Sequence, residues 1–465
     1  MAEPENVIPP SNDTPTDPRR RRVLQSAAAV ALAGLAGCSG GDGDGATTAP
    51  TQTTAESTTT TPTTVSDAAQ REKAIEFVQI LAAGEYETAF GMLSENIRSQ
   101  YSATRLETDW TETTADYGRF EGISGTTREP TGGYDVLVVQ AQFEAGVLGV
   151  QLAFEQASIE GLQFVPLQGA YSPPTYADES AFEERELALS SPACDLDATL
   201  TVPTDGADTG VVLVHGSGPN DRDETIGPNK PFKDLAWGLA TEGVAVLRYD
   251  KRTYACDVAT GDLGFDALVA DDALTALDRL RAETDVGSSA VVGHSLGGYA
   301  APRIAERDGN AAALLLAAPS RPLYELVPDQ LRYLANLDDT VTDAERSRIE
   351  DAESTAERLA NGNYESGGLA WSAAFWRAVA EYDPVATATE LDSEVYALQG
   401  GRDYQVSPTA DFPAWQDALG ESHTALYDDL NHLFVAGVGD PNPNEYFEPG
   451  NVAEAVVTDL VKWMG

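Results

Sequence analysis

The chain has 465 residues, enough for two or three domains, and 42% of them are apolar, enough for large cores. Its 75 acids face 29 bases for a net charge of −46, and only five of the bases are lysine (Lys73, Lys230, Lys233, Lys251 and Lys462). No basic stripe exists to neutralise phosphates, which argues against a nucleic-acid partner; the acids, spread over all the folded regions, read as a solvated surface suited to high salt rather than as a patch for a cationic partner.

The chain opens with a basic cluster, Arg19 to Arg22, followed by Val23 and Leu24. An apolar run of eleven residues, Ala27 to Gly37, then ends in Leu35-Ala36-Gly37-Cys38. That run is too short to cross a bilayer as a stable helix and fits the apolar region of a signal peptide. Residues 1–38 resemble a twin-arginine export signal ending in a lipobox. The resemblance implies export, lipidation of Cys38, and attachment to the membrane at the cell surface. Residues 39–67 carry eleven threonines between Thr47 and Thr64 and no large apolar residue before Val65. Such a segment cannot bury a core and reads as a disordered stalk. In an exported chain the remaining cysteines, Cys194 and Cys256, either pair or stay as lone thiols; sequence alone does not bring their Cα atoms within reach.

A small domain follows over residues 68–172. In "AIEFVQILAAG" the residues Ala74, Phe77, Val78, Leu81 and Ala82 share one helical face, and Gly84 is a stop. "YETAFGMLSENI" repeats the pattern. After about Gly118 the period changes to two, in "YDVLVVQAQFEA" and "VLGVQLAFEQA". Helices first and a meander of strands after them predict an α+β fold. The segment resembles a small domain of unknown function found ahead of hydrolases in exported proteins. It holds no catalytic constellation and reads as a spacer or docking module.

The region 179–465 alternates strands and helices. "RELALSS" and "DATLTVP" predict a leading antiparallel pair. "VVLVHG", "VAVLRYD", "SAVVGHS", "AALLLAA", "EVYALQG" and "TALYDDL" predict buried, mostly parallel strands of a three-layer α/β sheet. About seventy residues, 319–391, separate two of these strands with helical patterns throughout. They predict a helical cap inserted in the sheet. Trp371, Phe375 and Trp376 fall within six residues of this cap, and either pack it onto the domain or form an acyl pocket above the catalytic centre.

The chemistry gathers on Gly293-His294-Ser295-Leu296-Gly297, where an apolar strand pattern precedes Ser295 and a helical one follows. Strand, tight turn and helix make the geometry of a nucleophile elbow. A serine nucleophile needs a base. Of the four histidines, His215 and His294 come before the acid in the chain order Ser, acid, His, and His423 lies at the wrong end of the last strand. His432 follows that strand and is the candidate base. Asp403, just past "EVYALQG", is the candidate acid; Asp428 and Asp429 are the alternatives, sitting at the end of the strand that His432 itself follows. "VVLVHGSGP" (211–219) lacks the Gly-Lys-Ser/Thr of a phosphate loop. It lies where a sheet of this kind supplies an oxyanion N–H, so the backbone N–H groups of Ser217 and Leu296 are the candidate oxyanion hole. The charged tail "NDRDET" reads first as a structural network, through local pairing of Asp221, Arg222 and Asp223, and second as a substrate contact.

Taken together, "HGSGPNDRDETIG", "LRYDKRT", "GHSLGG", "GGRDYQV" and "LNHLF" resemble the α/β-hydrolase family. More narrowly they are similar to exported carboxylesterases labelled dienelactone-hydrolase-like. Dienelactone hydrolases proper use cysteine as nucleophile, and this chain has Ser295. The resemblance implies a serine carboxylesterase acting on a small-molecule acyl ester, with no cofactor and no metal. An acylaminoacyl-type serine peptidase shares the triad and fold, and a non-catalytic binding lipoprotein is the alternative of another class. The oligomeric state is left open.

Overall fold

The computed structural model describes residues 67–464 apart from 116, 132–133, 145, 156, 168–170, 257, 259, 338–339 and 365–370. The export signal, Cys38 and the stalk up to residue 66 lie outside the described residues.

The first domain opens with helices α1 (Asp67–Ala82), α2 (Tyr86–Met92), α3 (Glu95–Gln100) and α4 (Ala103–Thr113). An antiparallel meander follows: β1 (Phe120–Thr131), β2 (Tyr134–Phe143), β3 (Gly146–Glu155) and β4 (Ser158–Leu167), paired in chain order. Alternation on β2 sends Leu137, Val139, Ala141 and Phe143 to one face. There they meet Ala74, Phe77, Val78 and Leu81 of α1 and Leu106 and Trp110 of α4. The stripe read from the sequence is thus the buried stripe, and an α+β domain results because a one-faced sheet needs a helical layer to cover it.

In the second domain β5 (Phe182–Ser190) and β6 (Asp195–Pro203) pair antiparallel, and β6 pairs antiparallel with β8 (Val244–Tyr249). The other strands are β7 (Thr209–Val214), β9 (Ser288–His294), β10 (Ala312–Leu316), β11 (Val395–Gly400) and β12 (Thr424–Tyr427). The sheet order is β5-β6-β8-β7-β9-β10-β11-β12, parallel from β8 onwards. The intervening helices are α5 (Pro231–Thr241), the single turn α6 (Arg252–Ala255), α7 (Asp271–Glu283) and α8 (Leu296–Asp308). Between β10 and β11 come the cap helices α9 (Leu326–Ala335), α10 (Asp343–Ala360), α11 (Ala373–Glu381) and α12 (Pro384–Glu390); α13 (Phe412–Leu419) and α14 (Glu454–Met464) complete the domain.

One sheet face is covered by α5 and α14, where Phe232, Leu235 and Leu239 meet Val456, Val457 and Leu460. The other is covered by α7 and α8 through Leu277, Leu280, Tyr299 and Ile304. Both faces are dry, so β7, β8 and β9 read as continuous apolar runs rather than alternating ones. The short α12 carried a readable signal in Asp383-Pro384: the Asp383 carboxylate accepts from the N–H groups of Val385 and Ala386, and Pro384 takes the first helical position.

Cys194 and Cys256 are joined in a disulfide with Cα atoms 5.8 Å apart, which settles the alternative that the sequence left open. It ties the turn between β5 and β6 to the end of α6.

The cap aromatics correct the expectation of an acyl pocket. Trp371, Phe375 and Trp376 are at most 5% exposed and belong to the same core as Phe265, Tyr299 and Tyr382. Their rings contact one another at centroid distances of 4.3 to 5.3 Å, and Phe375 lies 5.8 Å from Phe265. Helical spacing does not relate Trp371 to Phe375, because Trp371 lies before α11; its ring packs on Phe375 and Trp376, and the three seal α11 onto the domain.

Candidate active site

Ser295 is the one residue between β9 and α8, the N-cap of that helix, with φ +52° and ψ −113°. A non-glycine residue held there costs on the order of 1–3 kcal/mol, which the surrounding packing must offset. The turn is that tight because α8 runs back against the sheet. A Cβ on Gly293 would strike the backbone of Gly297 and Gly298, and a Cβ on Gly297 would strike the carbonyls of Val214 and His215. The Ser295 N–H donates to the Leu316 carbonyl at 2.8 Å, which pins the elbow to β10. Four non-glycine residues among those described have positive φ: Glu224, Ser295, Ala317 and Phe434. Ser295 and Ala317 directly follow β9 and β10, Phe434 lies in the loop after β12 that carries His432, and the Glu224 carboxylate reaches the loop that follows β7, so backbone strain gathers at one rim of the sheet.

Asp403 follows β11 and is 4% exposed. One carboxylate oxygen accepts from the N–H groups of Gln405 and Val406 at 2.8 and 3.0 Å. The other accepts from Gln399 Nε2 at 3.0 Å and from His432 Nδ1 at 2.7 Å. All four donors converge on a carboxylate that is fully engaged, so the His432 ring is held as the Nδ1–H tautomer with Nε2 left to accept a proton. The His432 loop is itself shaped by Asn431, whose side-chain oxygen accepts from the N–H groups of Leu433 and Val435. Asp428 and Asp429 are not the carboxylates that meet His432. His423 is half-buried at the opposite end of β12, stacked on Tyr396 and hydrogen-bonded to Glu394.

Sequence reasoning passed over a second set of buried groups. His294, next to Ser295, donates from Nε2 to the His432 carbonyl at 2.9 Å, and the two imidazole rings lie 4.7 Å apart. Its Nδ1 lies 2.9 Å from a Glu224 oxygen, an ion pair without the alignment of a hydrogen bond. Burial would lower the pKa of His294, but the Glu224 carboxylate and the bond to His432 outweigh it and the net shift is upward. Burial likewise opposes ionisation of Glu224, and the His294 cation more than compensates, so its pKa falls. The other Glu224 oxygen accepts from the Gly216 N–H at 2.7 Å. The Lys251 ammonium donates to the Gly216 carbonyl at 2.6 Å, and burial pushes its pKa down to about 8. His215, also buried, is lowered to about 4, chiefly by desolvation.

The "NDRDET" segment is a structural network, although its charges do not pair with one another. Asp221 accepts from Thr225, Arg222 binds Asp250 and Glu186, and Asp223 binds Lys230 and Arg248. Arginine reaches across to neighbouring strands, which short-range sequence reasoning does not see.

A family model described as "Alpha/beta hydrolase family" matches residues 211–457. The chain belongs to the α/β-hydrolase family. It is an esterase-type α/β hydrolase: Esterase EstD of Thermotoga maritima is 34% identical over 401 residues, covering 84% of this chain and 95% of that protein. A second model, "Protein of unknown function (DUF3887)", matches residues 74–162, inside the small α+β domain. Similar solved structures include an esterase of Pyrococcus furiosus at 15% identity, covering 64% of this chain and 99% of that one with a TM-score of 0.39. Est1E of Butyrivibrio proteoclasticus is 16% identical, covering 60% and 98% of the two chains, also with a TM-score of 0.39.

Proposed function

We propose that this α/β hydrolase cleaves small-molecule carboxylic esters through a Ser295–His432–Asp403 triad and an acyl-enzyme. The observation that carries the reading is the buried 2.7 Å bond from His432 to Asp403, set beside the strained elbow that presents Ser295. Ser295 Oγ attacks the ester carbonyl while His432 Nε2 takes its proton. The oxyanion that forms is held by the N–H groups of Ser217 and Leu296, each worth about 3 kcal/mol in the transition state. His432 returns the proton to the leaving alcohol. Water, deprotonated by the same nitrogen, then releases the acid and restores Ser295. Asp403 keeps the imidazole in the tautomer that can do this and stabilises the cation.

The test is Ser295→Ala, assayed with a short-chain aryl ester. Turnover should fall by about 10⁴-fold or more with folding unchanged, and a fluorophosphonate probe should label the parent once and the variant not at all. Activity within tenfold of the parent would sink the reading.

The proposal has the protein held at the cell surface by lipid on Cys38. Its support is the order of basic cluster, apolar run and Leu35-Ala36-Gly37-Cys38 in the sequence. Cys38→Ser should move the protein from the membrane fraction to the medium; a variant that stays with the membrane refutes the anchor.

A further inference from the structure

Among the lysines, Lys251 stands apart. It is 4% exposed, in a chain that keeps almost all of its basic groups as arginine and almost all of its charge on the surface. A buried ammonium is costly unless its protons find acceptors. The acceptor here is the Gly216 carbonyl, at 2.6 Å. That carbonyl belongs to the peptide unit joining Gly216 to Ser217. In a trans peptide the C=O and the N–H point in opposite directions. A cation gripping the carbonyl therefore fixes where the Ser217 N–H points and draws electron density from it, which strengthens it as a donor.

The surroundings fit an aimed donor. Gly216 is buried, and its own N–H is held by Glu224 at 2.7 Å. Ser217, one residue on, is exposed. The loop runs beside the nucleophile, since a Cβ on Gly216 would stand 3.3 Å from the Ser295 Cβ. Lys251 follows β8, and its own N–H donates to the Asn220 carbonyl of the same loop at 3.0 Å. The disulfide anchors Cys256, just past the helical turn that Lys251 precedes.

We propose that Lys251 is a positioning residue for ester hydrolysis: its ammonium, on the Gly216 carbonyl, orients and polarises the Gly216–Ser217 peptide so that the Ser217 N–H meets the developing oxyanion. The inference rests on the reading of Ser295 as nucleophile and Ser217 as oxyanion donor. A lysine suits the task better than an arginine, because a point charge on one carbonyl needs no planar fork. The ionisable groups around the ammonium are Glu224 from the loop, His215 at the end of β7 and, through Glu224, His294 at the end of β9.

The experiment uses the parent, Lys251→Met and Lys251→Gln, each with its active sites counted by fluorophosphonate. Labelling of the parent tests the nucleophile reading by itself; turnover per labelled site tests Lys251. In Lys251→Met, kcat per site should fall about 10- to 100-fold with KM within about threefold, as for loss of part of an oxyanion donor. Affinity for a trifluoromethyl ketone, which places an oxyanion in the hole, should fall in step, and affinity for the unreactive methyl ketone should hold. Lys251→Gln, which keeps a donor without the charge, should lie between. The parent's kcat should decline on the alkaline side as the ammonium loses its proton, and Lys251→Met should lack that limb. The inference is overturned if kcat per site stays within threefold of the parent in either variant, if both ketones weaken equally, or if the alkaline limb survives in Lys251→Met. If Lys251→Met fails to fold, Lys251→Gln is judged by the same kcat and ketone criteria, with kcat between about 3- and 30-fold down as the supporting range.

Discussion

Asp403→Asn isolates orientation from shape. The side chain keeps its size, and only one oxygen becomes an NH₂ group. In the parent, both carboxylate oxygens face donors: two backbone N–H groups on one side, Gln399 Nε2 and His432 Nδ1 on the other. An amide can satisfy only one of these sides. With its oxygen toward the backbone of Gln405 and Val406, its NH₂ meets Gln399 Nε2 and His432. The imidazole then accepts at Nδ1, so its proton moves to Nε2, the nitrogen that takes the Ser295 proton in the proposed mechanism. The opposite orientation sets NH₂ against two N–H groups. The first costs one hydrogen bond and the second two, so the first prevails. The ring is then well placed and in the wrong tautomer, a defect that lowers kcat by about 10⁴-fold, or about 5 kcal/mol at 1.36 kcal/mol per tenfold. The assay is hydrolysis of a short-chain aryl ester per fluorophosphonate-titrated site, with thermal melting as the control for folding. A well-folded Asp403→Asn protein that retains more than a tenth of the parent's kcat would refute the role given to Asp403.

Two further predictions concern the core and pH. Trp371→Ala and Trp376→Ala each empty a site in a packed aromatic cluster and should destabilise by about 3–5 kcal/mol, seen in urea unfolding, while the butyrate-to-octanoate ratio of kcat/KM stays that of the parent; a changed ratio with unchanged stability would restore the acyl-pocket reading. His215, lowered to about 4 by burial between Phe232 and Tyr249, binds its proton more weakly folded than unfolded. Its stability contribution is therefore complete above the unfolded pKa, near 6.5, and is lost as pH falls toward 4, to the extent of about 3 kcal/mol. Asp234, raised to about 6 by burial, works in the opposite sense over part of that range, so the comparison is between the parent and His215→Phe. Urea midpoints measured from pH 7 to pH 4 should fall more steeply in the parent, and parallel curves would rule His215 out as the source.

The division between sequence and tertiary structure follows the range of the forces involved. Period-two and period-3.6 patterns record which face of an element is buried. The α1 stripe of Ala74, Phe77, Val78 and Leu81 and the apolar runs of β7, β8 and β9 were therefore legible without coordinates. The elbow around Ser295 was legible for the same reason, since strand, tight turn and helix are local, and His432 and Asp403 could be ranked by their places after strand ends. Which carboxylate reaches the imidazole was not local. Asp428 and Asp429 are nearer to His432 in the chain, and only the pairing of β11 with β12 carries Asp403 to 2.7 Å from Nδ1. The cap aromatics had the right spacing for either a pocket or a core, and the choice depended on what α11 packs against. The disulfide needed two backbones to approach across 62 residues. Lys251 and Glu224 were the least visible, because their effect runs through space to opposite sides of one glycine. A buried charge leaves no periodic mark in a sequence; it becomes meaningful only when folding has removed the water and set it against a backbone carbonyl or N–H.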